Sequence, residues 1–159
     1  MNVEFRRYRL GDDEAIWLLH LSGLDQMGAN AGEGPWDDDL RDIDSSYLRG
    51  GEFFVAEVDE QLVAMGGLKP VTAGIAELKR LRVAQELQGQ GLGENVVYRL
   101  IERAQGLGFT ILIADTTSRQ EPAQRLLSKF DFHETHRQQG DDFDVIYYRR
   151  ELGTGDSTR

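Results

Sequence analysis

The segment Leu81–Glu94 (LRVAQELQGQGLGE) constrains this chain more than any other. Leu81–Val83 end a strand-like run, and Gly89, Gly91 and Gly93 then alternate through a turn. The turn opens onto Leu92, Val96, Val97, Leu100, Ile101 and Ala104, a spacing that lays one apolar stripe along a helix. Glycine lets the backbone take positive φ and approach a ligand closely, because no Cβ stands in the way. The first turn of a helix carries amide N–H groups with no partner inside the helix, and the helix dipole adds positive potential there. Strand, glycine turn and helix start, in that order, make a phosphate site from backbone alone. The plainer reading is a tight connection that uses glycine for packing. Two other phosphate loops fail on the residues. A P-loop needs Lys and Ser/Thr after its last glycine, where this chain has Glu94 and Asn95. The dinucleotide fingerprint G-x-G-x-x-G lacks its last glycine here, and the segment sits mid-chain after an antiparallel meander.

The rest of the chain supplies a frame for that turn. Val3–Arg9 alternates in polarity and reads as a first strand. Asp12 reads as a cap, with Asp13 and Glu14 in the first turn of a helix over Asp13–Met27. Gly28–Gly34 reads as a loop and Trp36–Leu48 as a second, acidic helix. Glu52–Val58 and Leu62–Lys69 form a hairpin around Asp59-Glu60, and Ile75–Val83 is a further strand. Gly106 and Gly108 end the helix that follows the glycine turn. Phe109–Ala114 (FTILIA) is nearly all apolar, as expected of a strand covered on both faces. Ala123, Leu126, Leu127 and Phe130 mark a short helix with Pro122 in its first turn. Phe132–Arg137 and Phe143–Arg150 close as an antiparallel pair. The order β-α-α-β-β-β-α-β-α-β-β predicts an α/β fold: a mixed sheet with helices on both faces. One domain over residues 1–150 and a flexible tail over 151–159 are expected from length and composition.

Here the sequence resembles a known family. Gln88-x-x-Gly91-x-Gly93 matches the Q/R-x-x-G-x-G/A signature of the GNAT superfamily of acetyl-CoA-dependent acyltransferases. Gln120-Glu121-Pro122-Ala123-Gln124-Arg125-Leu126-Leu127 and Phe130-Asp131-Phe132 are similar to that family's late helix, N-x-x-A-x-x-L-Y-x-x-x-G-F. The element order agrees over roughly Val3 to Arg150. The resemblance implies a splayed sheet and acetyl-CoA as cosubstrate. Backbone groups of Leu81, Arg82 and Val83 would pair with the pantetheine arm like an added strand. The turn Gln88, Gly89, Gln90, Gly91, Leu92 and Gly93 would hold the pyrophosphate. Gln120 stands where the family has Asn, and Ala123 shares its helix face. The chain departs from the pattern at Gln120, at Asp131 in place of Gly, and at Leu127, where the family often has a Tyr that protonates the leaving thiolate.

Acetyl transfer to an amine needs a deprotonated amine and donors for the oxyanion. The family places its oxyanion donor on a backbone N–H near Leu81–Val83. Glu77, four residues earlier, stands near the family's base, and partial burial would raise its pKa toward working pH. The plainer reading of Glu77 is a solvent-facing strand residue beside Lys79. Tyr147 and Tyr148 are the candidate acids in place of Leu127, against ordinary sheet packing. His133-Glu134-Thr135-His136 is one residue short of H-E-x-x-H, and strand positions three apart face opposite sides, so no metal is expected. His20, Trp17 and Trp36 are candidates for core or cleft wall.

Charge is uneven. The chain carries a formal −10, but Asp12–Glu60 holds 14 acidic residues against Arg41 and Arg49. Such acidity argues against nucleic-acid or anionic-membrane partners and suggests a small cationic amine as acceptor; the plainer reading is a solvated acidic helix. With no cysteine, no apolar signal core and no membrane-length apolar run, a cytoplasmic protein is expected. Dimers are common in the family, so a homodimer is compatible with the resemblance. An acyl-CoA-binding regulatory module without turnover is the alternative function.

Overall fold

The computed structural model describes residues 2–26 and 35–153. Strand β1 (Val3–Arg7) leads through Asp12 into helix α1 (Asp13–Gln26). The Asp12 carbonyl accepts the Ile16 N–H, as an N-cap residue's does. Its carboxylate takes the Arg6 guanidinium and the Arg9 N–H, which ties the helix start to β1. Met27 and the expected loop Gly28–Gly34 lie outside the described residues.

The expected acidic helix is not an α-helix. A 3₁₀ segment over Pro35–Arg41 is followed by a short π-helical turn, Asp44–Leu48. Aspartate is a poor helix former whose side chain competes with the backbone. Here Asp37 and Asp39 are buried, with their carboxylates turned to partners elsewhere in the fold. Strands β2 (Glu52–Val58) and β3 (Gln61–Thr72) form the expected hairpin, with Asp59 and Glu60 both at positive φ. Strand β3 runs three residues beyond the expected end, through Pro70, to pair with β4 (Ile75–Val83).

Helix α2 (Leu92–Gly106) carries the apolar stripe read from sequence, and all six of its residues are buried. Each such burial contributes roughly 1.5–3 kcal/mol for the larger side chains. Strand β5 (Ile111–Thr117) starts two residues later than expected, because Gly74 O takes the N–H groups of Thr110 and Ile111 first. Helix α3 (Glu121–Lys129), β6 (His133–Gln138) and β7 (Val145–Glu151) complete the order. Leu152 is buried and its N–H bonds to Thr110 O, so the docked chain continues past the expected start of the tail at Glu151. Residues 154–159 lie outside the described residues.

The seven strands form one sheet, β1-β2-β3-β4-β5-β7-β6. All neighbours are antiparallel except β4 and β5. That parallel contact is short. It joins Ile75, Ala76 and Glu77 to Ile111, Leu112 and Ile113 and goes no further. Beyond Glu77 the two strands part, and the sheet opens into a wedge. One core, containing Val96, Leu100, Leu112 and Leu127, joins α2 and α3 to the sheet. A second, containing Ile16, Ile43, Tyr47, Phe53 and Met65, joins α1 and the 35–48 segment to the other side.

Candidate functional site

A bulge sets the wedge. Strand register passes from Gly67 opposite Lys79 to Met65 opposite Arg82, so Arg80 and Leu81 share one partner position at Gly66. Past the bulge the Ala84 N–H bonds to Val63 O on β3. By the two-residue alternation of a strand, Arg82 then also faces β3 with its main chain, while Leu81 and Val83 present theirs to the wedge. The Leu81 carbonyl meets Arg82 Nη1 at 2.9 Å, and the Val83 carbonyl meets Gln88 Nε2 at 3.2 Å.

The turn that follows is built on two left-handed glycines, Gly89 at φ +82° and Gly91 at φ +85°. A Cβ at either would meet nothing within 4 Å, so it is φ and not space that requires glycine there. Gly93 has no such φ, and a Cβ on it would sit 3.4 Å from Leu126 and 3.5 Å from Val83. The first hydrogen bond of α2 runs from Asn95 N–H to Gly91 O. The amides of Leu92, Gly93 and Glu94 thus have no partner within the helix.

These groups surround a cavity of about 420 Å³. Leu81, Arg82 and Val83 form one wall, and Gln88, Gly89, Gly91, Leu92 and Gly93 the next. Gln120, just before α3, and Ala123 on α3 close it. Gln90 is exposed and does not belong to the lining. The Gln120 carbonyl oxygen accepts from Thr116 Oγ1, Thr117 N and Thr117 Oγ1 at 3.0–3.2 Å. Its carbonyl end is thereby committed to the β5–α3 junction, and its amide Nε2 is the end that can donate to a ligand.

A second cavity, about 280 Å³, lies deeper in the wedge and shares Leu81, Arg82, Gln120 and Ala123 with the first. Glu77 and Asp115 both line it. Burial raises the Glu77 carboxyl, nearby Lys79 opposes the shift, and Asp115 adds to it. Burial raises Asp115 as well, against Lys79, Arg80 and a hydrogen bond with Glu77. Leu127, at the position of the family's usual Tyr, is buried and lines this cavity. Tyr147 belongs to neither lining. Its ring stacks on His136 at 4.3 Å between centroids, and its hydroxyl donates to Gln138 at 3.4 Å. Tyr148 packs in the core, where burial raises its pKa. His133 and His136 sit on the exposed strand β6. Among the described residues no three His, Asp or Glu side chains gather as a metal site.

Sequence reasoning passed over Asp115, Arg80 and Tyr47. Asp115 had one signal, a lone acid at the C-terminal end of a parallel strand, where open α/β sheets bind ligands. Arg80 binds Asp39 with two nitrogens, Nη2 to Oδ1 at 2.6 Å and Nε to Oδ2 at 3.0 Å. Asp39 also accepts from the Tyr47 hydroxyl. Burial alone would raise Asp39, but the Arg80 and Tyr47 hydrogen bonds outweigh it and hold the carboxyl at about 2. His20 is fully buried, with Nε2 at 3.0 Å from Asp37 Oδ1 and Nδ1 at 3.4 Å from Arg82 Nη2. Burial and the Arg82 charge push it down to about 4, so it is neutral at pH 7. Trp36 is half exposed, and Trp17 carries the Arg41 guanidinium 4.9 Å from its ring centre.

Residues 21–132 match the model of the Acetyltransferase (GNAT) family, a span that contains the bulge, the glycine turn and α3. The chain belongs to the GNAT acetyltransferase family. Among its relatives, human N-acetyltransferase 8 is 35% identical over 104 residues, covering 61% of this chain and 46% of that protein. Rat N-acetyltransferase 8F1 is 31% identical over 117 residues, 70% of this chain and 51% of that protein. This GNAT chain therefore spans about half the length of those curated relatives. A GNAT-family acetyltransferase from Staphylococcus aureus Mu50 shares its fold at TM-score 0.85 and 20% identity, over 95% of this chain and 99% of that one. An acetyltransferase from Salmonella typhimurium, solved with its cofactor acetyl-CoA, superposes at TM-score 0.78 and 19% identity over 100% and 99% of the two chains. At these identities the structures speak for the fold.

Proposed function

We propose that this GNAT protein transfers an acetyl group from acetyl-CoA to a primary amine by direct attack in a ternary complex. One observation carries the reading: the wedge joins a cavity walled by backbone donors to a cavity holding Glu77 and Asp115, through Leu81, Arg82, Gln120 and Ala123. The first cavity fits the cosubstrate. Its amides at Leu92, Gly93 and Glu94, with the left-handed Gly89 and Gly91, suit a diphosphate. The strand edge at Leu81 and Val83 suits the amides of a pantetheine arm.

Bound acetyl-CoA supplies a thioester carbonyl carbon that an amine attacks, with sulfur departing. The chain's own residues do the rest. The Leu81 N–H, facing the wedge, is the donor aimed at the oxygen where negative charge develops. Glu77, lifted by burial, takes the proton of the arriving ammonium onto its carboxylate oxygen, directly or through a water. Leu127 offers no proton, and Tyr147 has its hydroxyl elsewhere. A thiol pKa near ~8.5 makes thiolate a competent leaving group at neutral pH without an enzymic acid, and the second proton, left on the attacking nitrogen, passes to the departing sulfur or to water.

The acceptor in this reading is a small cationic amine. Its attraction rests on Glu77 and Asp115 rather than on the acidic segment, whose Asp37 and Asp39 are sealed against Arg80. Two measurements test the reading. CoA should protect the protein against thermal unfolding where NAD and ATP do not. Acetyl-CoA with a panel of primary amines should release free thiol. Protection without thiol release from any amine would support the acyl-CoA-binding module instead, and absence of CoA protection would remove both.

A further inference from the structure

The parity of β4 changes at its bulge, and the change has a function. Before the bulge, Gly74 O accepts from β5, so even-numbered residues turn their main chain toward that strand. After it, Ala84 N–H bonds back to β3, and the odd-numbered Leu81 and Val83 face the wedge. Without the extra residue, Leu81 and Val83 would turn their N–H groups into the β3 ladder. The residue that makes the shift is Arg80, at φ +62°. A long L side chain rarely takes this conformation, which persists only where the surroundings over-determine it.

The surroundings here are specific. The Arg80 side chain is 13% exposed and lies under the 35–41 segment. Its guanidinium grips both oxygens of Asp39, donates Nη2 to the Trp36 carbonyl at 2.7 Å, and stands 3.4 Å from Asp37 Oδ1. The Tyr47 hydroxyl donates to Asp39 Oδ2, the oxygen that also takes Arg80 Nε. Asp37 holds His20, which reaches Arg82 on the other flank of Leu81. Leu81 is thus bracketed by two arginines, both tied to the same buried acids or their partners.

We propose that Arg80 is a positioning residue: pinned by Asp37, Asp39 and the Trp36 carbonyl, it fixes the β4 bulge and so aims the Leu81 N–H into the wedge. The inference rests on the reading that Leu81 meets the cosubstrate, and it adds the groups that put Leu81 there. It also gives the acidic 35–41 segment a task that charge attraction does not.

Three variants test it. Arg80→Gly removes the guanidinium but accepts the left-handed φ, so the chain keeps its freedom to form the bulge. Asp39→Asn leaves Arg80 in place and removes the charge that grips it. Arg80→Lys keeps a cation without the two-pronged geometry. The readouts are the Leu81 and Val83 amide signals of the free protein by NMR, CoA affinity by calorimetry, and thermal unfolding. The expected result is a displaced or broadened Leu81 amide in Arg80→Gly and Asp39→Asn. CoA binding should weaken about tenfold in both, the scale on which positioning partners act, with part recovered in Arg80→Lys. A merely structural role would lower the unfolding temperature and leave the folded protein's CoA affinity alone. Unmoved Leu81 amides together with unchanged CoA affinity in folded Asp39→Asn and Arg80→Gly would overturn the proposal. If the wild-type protein binds no CoA, the proposed function fails, and the amide signals still decide the clamp.

Discussion

Glu77 and Asp115 reach one cavity from the two strands that part at the wedge. Burial, the largest cause, raises both carboxyls, and Lys79 opposes it at both. Asp115 adds to the rise at Glu77, whereas the hydrogen bond with Glu77 lowers Asp115. Two interacting carboxyls titrate as a unit, the first ionisation easier than the second. A base must be ionised to work, so thiol release with an active amine should fall as pH drops through an apparent pKa above the ordinary 4.5 of Glu77. Asp115→Asn removes a neighbouring negative charge and should move that limb to lower pH. Glu77→Gln should reduce kcat by about 10²-fold. A pH–rate profile of wild type and both variants checks the pair, and a limb that stays in place in Asp115→Asn would sever Asp115 from the chemistry. Glu77 was named from the family resemblance, four residues ahead of Leu81, and the structure adds that it lines this cavity. Asp115 carried only the signal of its strand end, because the pairing with Glu77 depends on a parallel neighbour 38 positions away.

The glycine turn was the most legible element, because everything that defines it is local: a strand end, residues free to take positive φ, and a helix start. It also separates two kinds of glycine. Gly91 sits at φ +85° in open space, so Gly91→Ala should lose roughly 1–2 kcal/mol in urea denaturation from backbone strain alone. Gly93→Ala meets only ordinary contacts with Leu126 and Val83 and should unfold like the wild type. Equal losses in the two variants would contradict this division. The acidic segment and the bulge were illegible for the opposite reason. A helix over Trp36–Leu48 was expected from composition, but Asp37 and Asp39 answer to Arg80, more than forty residues on. Nothing in Leu78-Lys79-Arg80-Leu81 marks a bulge, since its left-handed residue is an arginine and not a glycine.

Over the whole molecule, the count of 14 acidic residues in Asp12–Glu60 overstates the charge that an acceptor meets. Asp12 and Glu57 bind Arg6, and Glu52 binds Arg7 and Arg103. Asp37 and Asp39 bind Arg80, and Asp38 binds Arg41. Most of these cations come from outside the segment, so these six of its 14 acids are taken up in ion pairs that knit β1, β2, β4 and α2 together. Beyond the segment, Glu77 and Asp115 lie inside the wedge, while exposed carboxylates such as Asp42 and Asp59 stand outside it. Salt tells these two sources apart. Near 1 M ionic strength the screening length is about 3 Å, which silences the exposed carboxylates but screens groups lining a cavity much less. The preference for a cationic over a neutral amine, measured as a ratio of kcat/KM values, should therefore survive high salt with only a modest decline. A collapse of that ratio toward unity would return the selectivity to the outer surface and leave the wedge carboxyls with proton transfer alone.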